Sequence, residues 1–175
     1  MNETIASMVN RRSCRKFSDR MPSAAEIDAV VEAGLYAASG MGRQSTIILK
    51  VTNKELRDRI SRMNAAIMGK DEGLDPFYGA PAILVVLADR EVPTHVYDGS
   101  LTMGNLMVAA ESFGLASIWI HRAKEEFDSE EGKAILAELG VEGDYEGIGH
   151  CALGYWDAEK PEPPARRDGR VFCAE

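Results

Sequence analysis

Positive charge is outnumbered in this chain overall and dense in one place. Residues Asn10–Ser18 read NRRSCRKFS: four cations, Arg11, Arg12, Arg15 and Lys16, among two serines and a phenylalanine, in a chain of formal net charge -8. Arginine forks flanking a hydroxyl suit a phosphate monoester. Arg supplies paired, charge-assisted N–H bonds, and Ser13 adds a short donor. A second cluster, Arg166 and Arg167, follows Pro163–Pro164 far along the chain. Two separated Arg clusters in an acidic protein suggest one shared anion. Each also has a plainer reading: cations suit a helix C-terminus through its dipole, and a Pro-rich basic tail can simply fray. Residue types alone leave both open.

Other chemistry is thinly represented. No GxGxxG follows a strand-like run, and P-loop, HExxH and GxSxG patterns are absent. His95, His121 and His150 do not cluster by spacing, and His95 and His150 read as structural. No residue stands out as a general acid or base; His121 is the best side-chain proton donor. Cys14 lies beside the basic stretch, where a lowered pKa is conceivable, but no second cysteine is near. The acidic balance argues against general nucleic-acid binding. No apolar run approaches the roughly 20 residues of a bilayer span, and the N-terminus lacks an apolar signal core. Three cysteines without metal spacing suit a reducing, cytoplasmic setting.

The elements that must position these residues follow from periodicity. At 175 residues, one domain spanning 1–175 is expected. Residues 3–12 form an amphipathic helix with Ile5, Met8 and Val9 on one face. Ser23 and Glu26 have capping-box spacing, opening a helix that runs to about Ser39–Gly40. The loop SGMGRQS leads to a strand at 46–52. Asn53 caps a helix to about Met68, with Leu56, Ile60, Met63 and Ile67 inward. An irregular loop over 69–81 precedes a buried strand at 82–88. A helix over 94–113, dense in small residues and methionines, calls for deep burial or a partner chain. Strands at 116–120 and 147–155 bracket a helix capped by Ser129. The tail is too short and too Pro-rich for a core of its own, so it must pack on something, and exchange within a dimer is a reasonable expectation.

At this point several blocks of sequence resemble one family. RRSCRKF is similar to the RRSxRxF signature that opens flavin-dependent nitroreductase-family proteins. AASGMGRQS (37–45) resembles the family's loop where a Gln precedes a strand. FYGAPAILVVLAD (77–89), DGSLTMGNLMVAAESFGLASIWIHRA (98–123) and GHCALGYWDAEKPEPPARRDGR (149–170) resemble later blocks, in order. The resemblance implies an α+β fold: a three-layer α/β/α domain with a central, mostly antiparallel sheet and a C-terminal tail exchanged in a homodimer.

The same resemblance implies FMN as prosthetic group, NADH or NADPH as donor, and a small acceptor such as a nitroaromatic or quinone, reduced by a ping-pong mechanism. Arg11, Arg12 and Ser13, with Arg166 or Arg167, would hold the FMN phosphate, and Arg15 would lie near the pyrimidine edge. Ser39, Gly40 and Gln44 would contact the flavin across the interface, and Asn64 would meet its pyrimidine end. Main-chain groups of Ile120, His121 and Arg122 would face the ring. The same fold could instead run dehalogenation, enone reduction or flavin destruction, or could store flavin. One departure stands out: where many members carry Asn and then Gln-Pro-Trp, this chain has Gly42–Arg43–Gln44–Ser45–Thr46, with no aromatic shelf.

Overall fold

The computed structural model describes residues 1–70 and 73–174; Asp71 and Glu72, in the expected irregular loop, lie outside the described residues. Helix α1 (Glu3–Asn10) starts at Asn2, whose side chain accepts from the Ile5 amide. Helix α2 (Ala24–Leu35) opens with the full Ser23–Glu26 capping box. It ends four residues before Ser39. The Ala37 amide turns back to Gly34 O at 3.1 Å, tightening the last turn so that the chain can swing toward the sheet. A single 3₁₀ turn at Gly40–Gly42 precedes β1 (Thr46–Val51).

Asn53 caps α3 (Lys54–Ile67), as its type predicts. Ile60 and Met63 face inward, but Ile67 is exposed because the helix has by then passed the sheet edge. Strand β2 (Ala82–Asp89) is buried on both faces, which explains its unbroken apolar run. Then come α4 (His95–Ser112), β3 (Ala116–Ile120), α5 (Ala123–Asp128), α6 (Glu130–Glu138) and β4 (Tyr145–Gly154). The short α5 has no counterpart among the expected elements.

The sheet order is β1-β2-β4-β3, and every pairing is antiparallel. Alternation along β2 divides the core in two. Ile83, Val85 and Leu87 face α3, α5 and α6 through Ile60, Phe127 and Ile135. Leu84 and Val86 face α2 and α4 through Val30, Met103 and Leu106. This is the expected α+β three-layer arrangement. Helix α1 lies against α4. The tail beyond Lys160 stays exposed, with Phe172 at 90% of full exposure, so it finds no seat on its own chain.

Candidate functional site

After α1 the chain runs beside β3. Ser13 bridges Ser117 in parallel, the Cys14 amide donates to Ser117 O at 3.0 Å, and Phe17 bridges Trp156. Cys14 and Phe17 are buried in the core, Arg11, Arg12 and Ser13 are half-buried, and Arg15 is exposed. Arg12 Nη1 donates to Arg11 O. Arg11 Nη1 and Arg12 Nε and Nη2 are shielded from water and have no partner among the described residues. Buried guanidinium donors without an acceptor are costly, and an anion with several oxygens satisfies them at once. Burial pushes the Cys14 thiol up, outweighing its bond to Lys16 O; the lowered pKa conceivable from its neighbours is not found. Burial likewise pushes Cys151 up to about 12, with Arg11 opposing from nearby.

Next to this stretch lies a cleft of about 320 Å³ between β3, the β3–α5 turn and residues 74–78, with Arg15, Tyr78, Trp119, His121 and Arg122 among its walls. Asp75 fixes the wall loop. It accepts from Ser61 Oγ at 2.8 Å, the Phe77 and Gly79 amides at 3.0 and 2.8 Å, and Arg57 Nη2. Burial alone would raise the Asp75 pKa, but Arg57 and these donors together hold it below the usual carboxylate range. His121 is exposed at the rim. Arg122 adopts φ 80°, a left-handed conformation uncommon for a side-chain-bearing residue. Asn64 is fully buried behind the turn. Its Nδ2 donates to His121 O at 2.9 Å and its Oδ1 accepts from Arg122 Nε at 3.0 Å, so its amide holds the turn rather than lining the cleft.

Ser39, Gly40 and Gln44 sit elsewhere, in the loop before β1. Met41 and Gln44 both have left-handed backbones, at φ 54° and 50°. The organiser of this loop is Asp98, a residue that sequence reasoning passed over. It is buried and accepts from Ser45 Oγ at 2.7 Å, the Gly40 amide at 3.0 Å and Thr94 Oγ1 at 3.1 Å. Burial would raise its pKa; these donors and His95 together lower it. Gly40 is required because a Cβ there would come within 2.2 Å of Thr94 Oγ1. Little in the local pattern marks Asp98: Thr94 is four residues away, but its other two partners lie 53 and 58 residues away.

The site residues therefore fall into three groups. Arg11–Arg15, Asn64 and Ile120–Arg122 gather at the β3 edge, and Ser39, Gly40 and Gln44 at the β1 edge. Arg166 and Arg167 lie in the exposed tail, where Arg166 donates to Pro164 O at 2.8 and 3.2 Å. The two edges are three strand spacings apart, about 14 Å.

A model of the nitroreductase family matches residues 8–155. The chain belongs to the nitroreductase family. A nitroreductase from Bacteroides fragilis solved with bound FMN is 29% identical, superposes with a TM-score of 0.89, and covers 100% of both chains. The corresponding Desulfitobacterium hafniense nitroreductase with bound FMN gives the same identity, score and coverage. A protein of Archaeoglobus fulgidus named for NADH dehydrogenase and NAD(P)H nitroreductase activity is 28% identical over 165 residues, 91% of this chain and 89% of its own. An NAD(P)H-dependent FMN reductase of Bacillus subtilis is 26% identical over 140 residues, and the match spans about half of that longer protein, 53%. No helix among the described residues is long and apolar enough to cross a membrane.

Proposed function

We propose that this protein is an FMN-dependent oxidoreductase that works as a pair of identical chains, taking hydride from NADH or NADPH and passing electrons to a small acceptor such as a nitroaromatic or quinone. The observation that carries the reading is the set of buried, partnerless guanidinium atoms on Arg11 and Arg12 beside an open cleft. Such atoms fit the phosphate of FMN, and the cleft beside them fits part of its ring.

FMN supplies the hydride chemistry when bound. The protein's residues bind, orient and shield. Arg11 and Arg12, with Ser13, hold the phosphate, and Arg15 brings fixed positive charge to the ring, favouring the negative charge that builds on reduction. His121 and Arg122 offer main-chain N–H groups. Ser39, Gly40 and Gln44 reach the ring from the partner chain, because a rigid sheet separates them from the phosphate group of their own chain. Arg166 or Arg167 completes the phosphate site from an exchanged tail. The site then alternates between donor and acceptor, giving ping-pong kinetics.

The test begins with the purified chain. It should be yellow, release FMN on denaturation and elute as a dimer. It should also oxidise NADH or NADPH with a quinone or nitroaromatic, giving parallel double-reciprocal lines. A dimer that holds FMN which neither nicotinamide reduces would defeat the enzymatic reading; a colourless chain that takes up no FMN in titration would defeat it altogether.

A further inference from the structure

Two ionisable side chains meet in the core directly behind the β3–α5 turn, and the binding reading does not use them. Glu126 on α5 and His150 on β4 are both fully buried, with His150 Nε2 2.5 Å from Glu126 Oε2. The approach is short, but its geometry is not that of a hydrogen bond: His150 Nε2 and both Glu126 carboxylate oxygens are buried without a hydrogen-bond partner among the described residues. The other ring nitrogen, His150 Nδ1, faces Ile120 O at 3.2 Å, and the ring leans on Phe77 with centroids 5.1 Å apart.

The local backbone is shaped to make this meeting. The β2–β4 register shifts between Val86 and Leu87, leaving Ile148 as an extra residue in β4. A regular strand puts residues three apart on opposite faces; with the bulge, Gly147 and His150 both face α5. Gly147 lets α5 lie on the strand, since a Cβ there would come within 2.1 Å of Ala123 O.

The proton arrangement follows from which atoms can only accept. Ile120 O has no proton, so Nδ1 must carry one for its contact to be favourable. Nε2 and a carboxylate oxygen at 2.5 Å repel unless a proton lies between them. The pair thus holds one proton toward Ile120 and one shared. The peptide bonds are trans, so each C=O and the following N–H point in opposite directions. Ile120 O turned toward His150 sends the His121 N–H away from β4. His121 O turned toward Asn64 sends the Arg122 N–H away from α3. Neither amide has a partner among the described residues.

We propose that Glu126, His150 and Asn64 are positioning residues that hold these two consecutive N–H groups toward the flavin ring, favouring its reduced form. The inference rests on the functional reading above. Its experiment combines ¹⁵N NMR of the His150 ring with the midpoint potential of bound FMN in the wild type, His150→Phe, His150→Asn and Glu126→Gln. Both ring nitrogens should report attached protons; a bare Nδ1 overturns the inference without any substitution. His150→Phe should keep FMN, because Arg11 and Arg12 are untouched. It should bind reduced FMN about tenfold less well relative to oxidised FMN, a fall of about 30 mV for a two-electron couple.

His150→Asn, whose amide can reach the same carbonyl, should recover most of that loss, and Glu126→Gln should fall between the two. A folded, FMN-loaded His150→Phe protein with unchanged potential overturns the inference and leaves the functional reading standing. If that variant does not fold, Glu126→Gln at the wild-type potential overturns it. A wild-type chain that takes no FMN overturns both.

Discussion

The two edges of the sheet are unfinished in different ways. At the β3 edge the chain braces much of its own backbone: residues 13–18 bridge β3 and the segment just past β4, Asn64 and His150 hold the turn, and Asp75 holds the wall loop. What remains open there is charge, in guanidinium atoms that an anion would satisfy. At the β1 edge the polar groups are settled, with Asp98 collecting three donors, and what remains open is apolar area. Tyr97 on α4 is 72% exposed, Leu101 one turn later is 51% exposed, and Met41 in the adjoining loop stands in solvent. One edge asks for a small charged ligand, the other for a protein surface. Half a binding site at each edge is what a ligand shared between two copies would require.

The largest expected effect tests the charge side. Arg11→Ala with Arg12→Ala removes charge-assisted bonds of about 1.5–3 kcal/mol each, so FMN affinity by fluorescence titration should fall by roughly a hundredfold or more with little change in melting temperature. Wild-type affinity in that double variant would break the comparison at its first edge. Gly147→Ala should act on stability instead. The new methyl meets backbone at Ala123 O, which cannot swing aside, and the cost should approach about 3 kcal/mol in denaturant unfolding.

Leu101→Glu tests the apolar side. It should leave the fold of each chain intact but weaken self-association by about 2 kcal/mol, seen as a shift toward monomer in sedimentation, with FMN lost as the monomer appears. A monomer that still holds FMN tightly would show that one edge suffices.

The smallest effect is pH-dependent. Asp98 has a folded pKa below its unfolded value of about 3.9, so its contribution is fully present above that value and is lost as pH falls through the lower, folded one. Asp98→Asn should be less stable at pH 7 by about 1–2 kcal/mol. The gap from wild type should narrow as acid is added below about pH 4. A constant gap would mean that the carboxylate's charge does not hold the loop.

Much of this was legible in the sequence where the determinant is local. Caps at Ser23, Asn53 and Ser129 work as their types predict, because a cap bonds an amide two or three residues away. The basic stretch stood out because its members are consecutive. Helix α5 was missed because six residues, Ala123–Asp128, are too few to show a period. His150 was read as a lone histidine because Glu126, 24 residues earlier, enters no spacing pattern with it. Asn64 was placed at the flavin's pyrimidine end through the family resemblance alone; the structure gives it two partners in the chain itself.

Taken alone, the order of residues settles the elements, their caps, the two-sided burial of β2 and the positive stretch after α1, since each depends on neighbours within a turn or a strand. Only the folded chain decides that Asp98 commands the loop before β1, that a one-residue bulge brings His150 to Glu126, and that the two groups of candidate site residues stand on opposite edges. Those outcomes depend on strand order and register, which are set by how whole layers pack and leave no trace in any short window of sequence.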